Sequence, residues 1–159
     1  MRLNLYERWW DDFPTGRSFS TRGLTVTETH VVNWSMLAGD WLPIHVDREY
    51  CADTPFGAPI AHGPLTMALA MGLVTQANVY GDAIIAWLGL DGLRALKPVH
   101  IGDTIHVDAT VAEQAETSKD ERGRVHIDYE IRNQRGEAVM VFTSGFLMKR
   151  RVLARHADA

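Results

Sequence analysis

Hydrophobic and polar residues alternate strictly along the C-terminal half of the chain. Ile105, Val107, Ala109 and Val111 fall on one side of an extended segment, and His106, Asp108 and Thr110 on the other. That is the period of two of a strand with one face in a core. Val125, Ile127, Tyr129 and Ile131 repeat it against His126, Asp128, Glu130 and Arg132. The spacing predicts strands over 104–112, 124–133 and 138–149, and glycine-containing turns at 120–123 and 133–136 join them into an antiparallel meander. Apolar runs at 84–88 and 93–99 read as further strands.

Between 64 and about 80 the pattern changes. Leu65, Met67, Ala68, Leu69, Ala70, Met71, Leu73 and Val74 leave no polar side, and a helix apolar all round belongs in a core. Upstream, Thr27 stands as the N-cap of a short helix carrying Val31, Val32, Trp34, Met36 and Leu37, which Gly39 ends. The stretch 41–59 holds Pro43, Pro55, Gly57 and Pro59 and reads as an irregular loop of a length that usually serves function. One long buried helix wrapped by one curved antiparallel sheet, an α+β architecture, accommodates both periodicities.

With 159 residues, 46% of them hydrophobic, the chain suffices for one domain spanning 1–159. A net charge of −4 without a long basic stretch offers no grip for a phosphate backbone, so a nucleic-acid partner is not expected. The single cysteine, Cys51, fits a reducing compartment as a structural thiol. Glu7, Arg8, Asp11 and Asp12 interrupt the first sixteen residues where a secretory signal would be apolar. The longest apolar run, 64–74, is short of the roughly 20 residues that span a bilayer. The expectation is a cytoplasmic protein with no membrane association.

Chemistry concentrates in Gly39-Asp40-Trp41-Leu42-Pro43-Ile44-His45 and in His62-Gly63-Pro64 at the head of the apolar helix. Asp40 and His45 stand five apart, which on a helix would point them to different faces. Gly39 permits a sharp turn and Pro43 extends Leu42, so a bent loop lets the two converge. Taken alone, an Asp and a His flanking a proline are ordinarily a turn. The glycine-led helix start nearby adds backbone N–H groups and the positive end of a helix dipole. His100, His106 and His126 lack metal-ligand spacing, so no metal site is expected. Trp9 and Trp10 read as packing residues, and Lys149, Arg150, Arg151 and Arg155 as a solvated basic tail.

These residues resemble the MaoC-like dehydratases, the hot-dog-fold family that includes (R)-specific enoyl-CoA hydratases. The family signature Gly-Asp-x-Asn-Pro-hydrophobic-His is matched by 39–45, its His-Gly step by His62-Gly63, and its Pro-Val-x-x-Gly-Asp segment by 98–103; Asp11-Asp12-Phe13 is similar to its opening. Leu42 stands where the family has Asn, so hydrogen bonds made by that amide must be absent or come from elsewhere.

The resemblance implies a hot-dog fold and the reversible hydration of a trans-2-enoyl-CoA to a 3-hydroxyacyl-CoA, without a cofactor. Asp40 and His45 would share the attacking water, and the Gly63 N–H would hold the thioester oxygen. Trp41, Leu42, Ile60, His62 and Met71 would contact substrate. It also implies a homodimer or dimer of dimers, with the acyl-CoA between subunits, Asp40 and His45 from one chain and Gly63 from either. Two alternatives stand beside it. One is a hot-dog acyl-CoA thioesterase, disfavoured because 61–80 contains no Asp or Glu. The other is a non-catalytic acyl-CoA-binding subunit that pairs with an active relative.

Overall fold

The computed structural model describes residues 6–151. The alternating segments are the strands that dominate it: β4 (Thr104–Glu116), β5 (Arg122–Arg132) and β6 (Ala138–Lys149) form the antiparallel meander that their period of two predicts. Every inward residue named for β4 and β5 is buried, because register is fixed once one face is committed to a core. Gly136, with φ +74°, closes the β5–β6 turn through its N–H to Asn133 O at 3.0 Å.

The two apolar runs at 84–99 differ from expectation. They are one strand, β3 (Ile84–Ala95), which shifts register against β6 three times. Gly89 and Gly92 supply left-handed backbone within it, as strand irregularities require. Two strands too short to show a period, β1 (Ser18–Ser20) and β2 (Leu24–Thr25), pair with β4. The sheet therefore runs β1-β4-β5-β6-β3, with β2 also on β4, and β3 lies at one edge.

The apolar helix forms over Gly63–Gln76, a turn shorter than its pattern suggests. We number it α4, after α1 (Glu28–Ala38) and two short helices, α2 (Pro43–Val46) and α3 (Arg48–Ala52). Its buried residues Leu65, Ala70, Leu73 and Val74 join the inward faces of β4, β5 and β6 in one core. Pro64 and Ala68, on its opposite side, stay exposed in the single chain. Deep in the core the Tyr80 and Tyr129 hydroxyls hydrogen-bond each other, and burial pushes both above the ordinary phenol range.

The basic C-terminal group is not simply solvated. Lys149 pairs with Asp82 at 2.8 Å and lies over the Trp9 ring, while Arg150 pairs with Glu116 at 2.7 Å and lies over Trp10. These tryptophans do pack, and the cations cover their outer faces. Arg155 falls outside the described residues. No described helix is long and apolar enough to cross a membrane.

Candidate active site

Helix α1 delivers the first candidate. The Thr27 hydroxyl accepts from His30 N–H, while Thr27 N–H donates to His30 Nδ1 at 3.0 Å, which starts the helix. Gly39, left-handed with φ +73°, stops it by donating to Ser35 O at 2.8 Å. Asp40 follows with its side chain 38% exposed, and its Oδ1 accepts from Leu42 N–H at 3.3 Å.

The breaker-rich stretch is not wholly irregular. Pro43 occupies the first turn of α2, where its fixed φ suits a helix and its missing N–H leaves nothing unpaired. Asp47 then caps α3 by accepting from Tyr50 N–H. His45 therefore sits on a helical turn, 7% exposed, facing inward. Its Nδ1–H donates to Ile60 O at 2.7 Å, which leaves Nε2 to act as an acceptor. Cys51, fully buried behind it, directs its thiol toward the carbonyls of Pro43 and Ile44.

His62, immediately before α4, is 1% exposed. Its ring stacks on that of His45 with centroids 3.7 Å apart and planes 29° from parallel. Its Nε2–H donates to the main-chain oxygen of Asp40 at 3.1 Å, and the Ser35 hydroxyl lies 3.4 Å away. Nδ1 has no partner. Burial, first, and the neighbouring His45 hold His62 below the ordinary histidine range, against the opposing pull of Asp40.

A carboxylate oxygen of Asp40 and one ring nitrogen each of His45 and His62 lie within 4.8 Å of one another. One water making hydrogen bonds of about 2.8 Å to two such atoms spans that gap. The residue types would also suit a divalent cation. Stacked imidazoles, however, direct their in-plane lone pairs side by side instead of toward one point, which disfavours a shared ion.

Gly63 opens α4, and the first N–H groups of a helix have no intrahelical acceptor. Its φ is not left-handed, so no turn demands glycine there, and a Cβ built on it would meet nothing within 4 Å. What glycine secures is unobstructed space beside its N–H. That space belongs to a cavity of about 400 Å³ lined by His45, Gly63, Ile60, Thr66, Lys97 and Met140, among mostly apolar neighbours.

The candidate residues thus separate. Asp40, His45 and His62 come together; His45, Ile60 and Gly63 share the cavity within a single chain. Gly63 reaches the same cavity as His45 within a single chain, where the α4 start and α2 meet through Ile60. Trp41 and Leu42, 51% and 56% exposed, do not line this cavity, and Leu42 points outward instead of filling it. Met71 lines a second, apolar cavity of about 270 Å³ with Met67, Ala68, Trp87 and Phe146. Helical geometry puts Thr66 and Gly63 on one face, three apart, so that lining position was available to sequence reasoning. Lys97 comes from beyond β3, and no local signal marks it.

The family model for the MaoC like domain matches residues 12–134. Protein MaoC of Klebsiella aerogenes is 34% identical over 109 residues, 69% of this chain and 32% of that protein. The 3-hydroxybutyryl-CoA dehydratase of Methylorubrum extorquens is 35% identical over 88 residues, 55% of this chain and 54% of that one. The chain thus spans a third to a half of the length of these two relatives. Among solved structures, the monoamine oxidase regulatory protein from Archaeoglobus superposes with a TM-score of 0.85 at 33% identity, covering 91% of this chain and 96% of that one. A Mycobacterium tuberculosis protein described as a double hotdog fold superposes at 0.80 with 20% identity, over 99% of this chain and 48% of that one, a likeness of fold alone.

Proposed function

The chain belongs to the MaoC-like dehydratase family and has its hot-dog fold, and from that premise we propose that it reversibly hydrates a trans-2-enoyl-CoA to a 3-hydroxyacyl-CoA, with R stereochemistry. The observation that carries the reading is the approach of the Asp40 carboxylate and the His45 ring to one water-sized gap, beside a cavity onto which the Gly63 N–H opens.

In the forward direction the water oxygen bonds to C3 while the basic member of the pair takes its proton. Negative charge moves onto the thioester oxygen, where the Gly63 N–H and the α4 dipole stabilise it. C2 then receives the proton taken from the water, so that H and OH have added across the double bond and the pair is back in its starting state. The hydrogen bond to Ile60 O keeps the proton of neutral His45 on Nδ1, so Nε2 is the nitrogen available for this exchange. No step requires a cofactor. The 3-hydroxybutyryl-CoA dehydratase relative, by its name, runs the reverse reaction on a short acyl-CoA.

Purified protein mixed with trans-2-enoyl-CoA esters of increasing length should consume the enoyl thioester absorbance. Asp40→Asn and His45→Ala should each lower kcat by about 10²–10⁴-fold, the usual contribution of a positioned acid or base, while retaining a cooperative melt. Gly63→Ala should fold normally, because nothing obstructs its Cβ, and should lower kcat/KM. Full activity in Asp40→Asn would end the assignment. Release of thiol from a saturated acyl-CoA would favour a thioesterase instead, although α4 carries no carboxylate.

The assembly follows from the edge strand. Among the described residues β3 ends the sheet with no strand on its outer edge, and Ile85, Trp87, Leu88 and Leu93 are exposed along it. Such an edge invites pairing with another strand, and the open side of α4 adds apolar surface. A homodimer joined there would cover both.

A further inference from the structure

The resemblance gives the histidine lying against the acid–base pair a substrate contact, but His62 is buried and does not line the cavity beside His45. We propose that His62 is a positioning residue that fixes Asp40 and His45 relative to each other, through its Nε2–H on the Asp40 carbonyl and its ring against His45. The inference rests on the hydratase reading for its catalytic consequence, but the placement stands on geometry of its own.

Asp40 lies just beyond the end of α1 and His45 on the single turn of α2, with four residues between them, three exposed and Ile44 half-buried. The Leu42 backbone bridges them, donating to Asp40 Oδ1 at 3.3 Å and accepting from His45 N–H at 3.0 Å. Among the described side chains His62 alone touches both, the carbonyl at 3.1 Å and the ring with centroids 3.7 Å apart. It also begins α4, since Thr66 N–H donates to His62 O at 3.0 Å. One buried ring therefore links the acid, the base and the helix start that carries Gly63. The charged or titratable groups facing it are Asp40 and His45, with the Ser35 hydroxyl completing its surroundings.

Neutrality is part of this role. The carbonyl of Asp40 can only accept, so the ring carries its proton on Nε2, and the partnerless Nδ1 holds a lone pair. A second proton would enclose a cation within the core against the very imidazole that must gain a proton during turnover. Burial opposes that step.

Two variants separate the contacts. His62→Phe retains a flat ring beside His45 and loses the donor to Asp40; His62→Gln retains a donor and loses the ring. With trans-2-enoyl-CoA as the probe, each should lower kcat on the order of 10²-fold while KM changes by less than about threefold, the pattern of misplaced reacting groups with intact ground-state binding. Unchanged kcat in both folded variants, or a change confined to KM, would overturn the proposal.

A second measurement needs neither turnover nor a folded variant. Nitrogen-15 NMR of the wild-type protein at neutral pH should show His62 as a neutral ring protonated on Nε2. An Nδ1–H tautomer or an imidazolium would refute the placement. A wild-type protein with the expected spectrum but no hydration of any enoyl-CoA would remove the catalytic reading and leave the clamp standing.

Discussion

At the scale of single residues, His62 also predicts how stability depends on pH. Its folded form binds a proton less readily than an ordinary histidine with a pKa of 6.5. The unfolded chain therefore takes up more protons than the folded one as pH falls below about 6.5, and stability declines with it, levelling off only below the folded pKa. The melting temperature of the wild type should drop on acidification below pH ~6.5, and His62→Phe should flatten that limb. An equal slope in both proteins would mean that His62 is protonated as easily when folded as when unfolded. The lowered carboxylates act further down the scale. Glu137, held to about 2 by bonds from Asn133, Lys97 and Arg135, stays charged throughout this window. Burial opposes ionisation of Asp103, but Gln134, His100 N–H and Arg135 outweigh it.

At the scale of elements, the caps of α1 matter more to the site than the helix does. The helix buries only Val31 and Ser35, and most of its surface is open. Its function in the fold is to end at the right place, and the left-handed Gly39 accomplishes that. Gly39→Ala should cost about 1 kcal/mol in denaturant unfolding, the usual penalty for a Cβ in left-handed backbone. It should reduce hydration activity by more than that loss of folded protein explains, because Asp40 leaves directly from this residue. Preserved activity per folded molecule would show that Asp40 finds its position independently of the cap.

At the scale of the whole molecule, the apolar character of α4 and the bare edge of β3 describe one surface. Pro64 and Ala68 on the helix stay exposed, and Trp87 on the strand, although its Nε1–H donates to Ser144 Oγ at 2.8 Å, remains 62% exposed among the described residues. The helix has no polar face to offer water, so the side turned away from its own sheet needs another cover. Light scattering at micromolar concentration should give a dimer, and Trp87→Asp should shift it toward monomer. A wild type that stays monomeric would leave the surface without an explanation.

The sequence alone determined the meander, since a period of two commits alternate residues to a core regardless of what lies opposite. It also determined the limits of α1, because a hydroxyl cap and a glycine act within one turn of the backbone. Asp40 and His45 could be singled out as a pair for the same local reason: Gly39 and Pro43 restrict the chain between them. Tertiary structure decided the rest. The helical turn under His45 draws on the bond to Ile60 as much as on Pro43, and β1 and β2 exist because β4 offers them an edge. His62 meets His45 only after α4 docks on the sheet, and a ring contact between residues seventeen apart leaves no periodic trace. Local backbone chemistry fixes where elements begin and end, whereas the company a buried side chain keeps depends on how those elements pack.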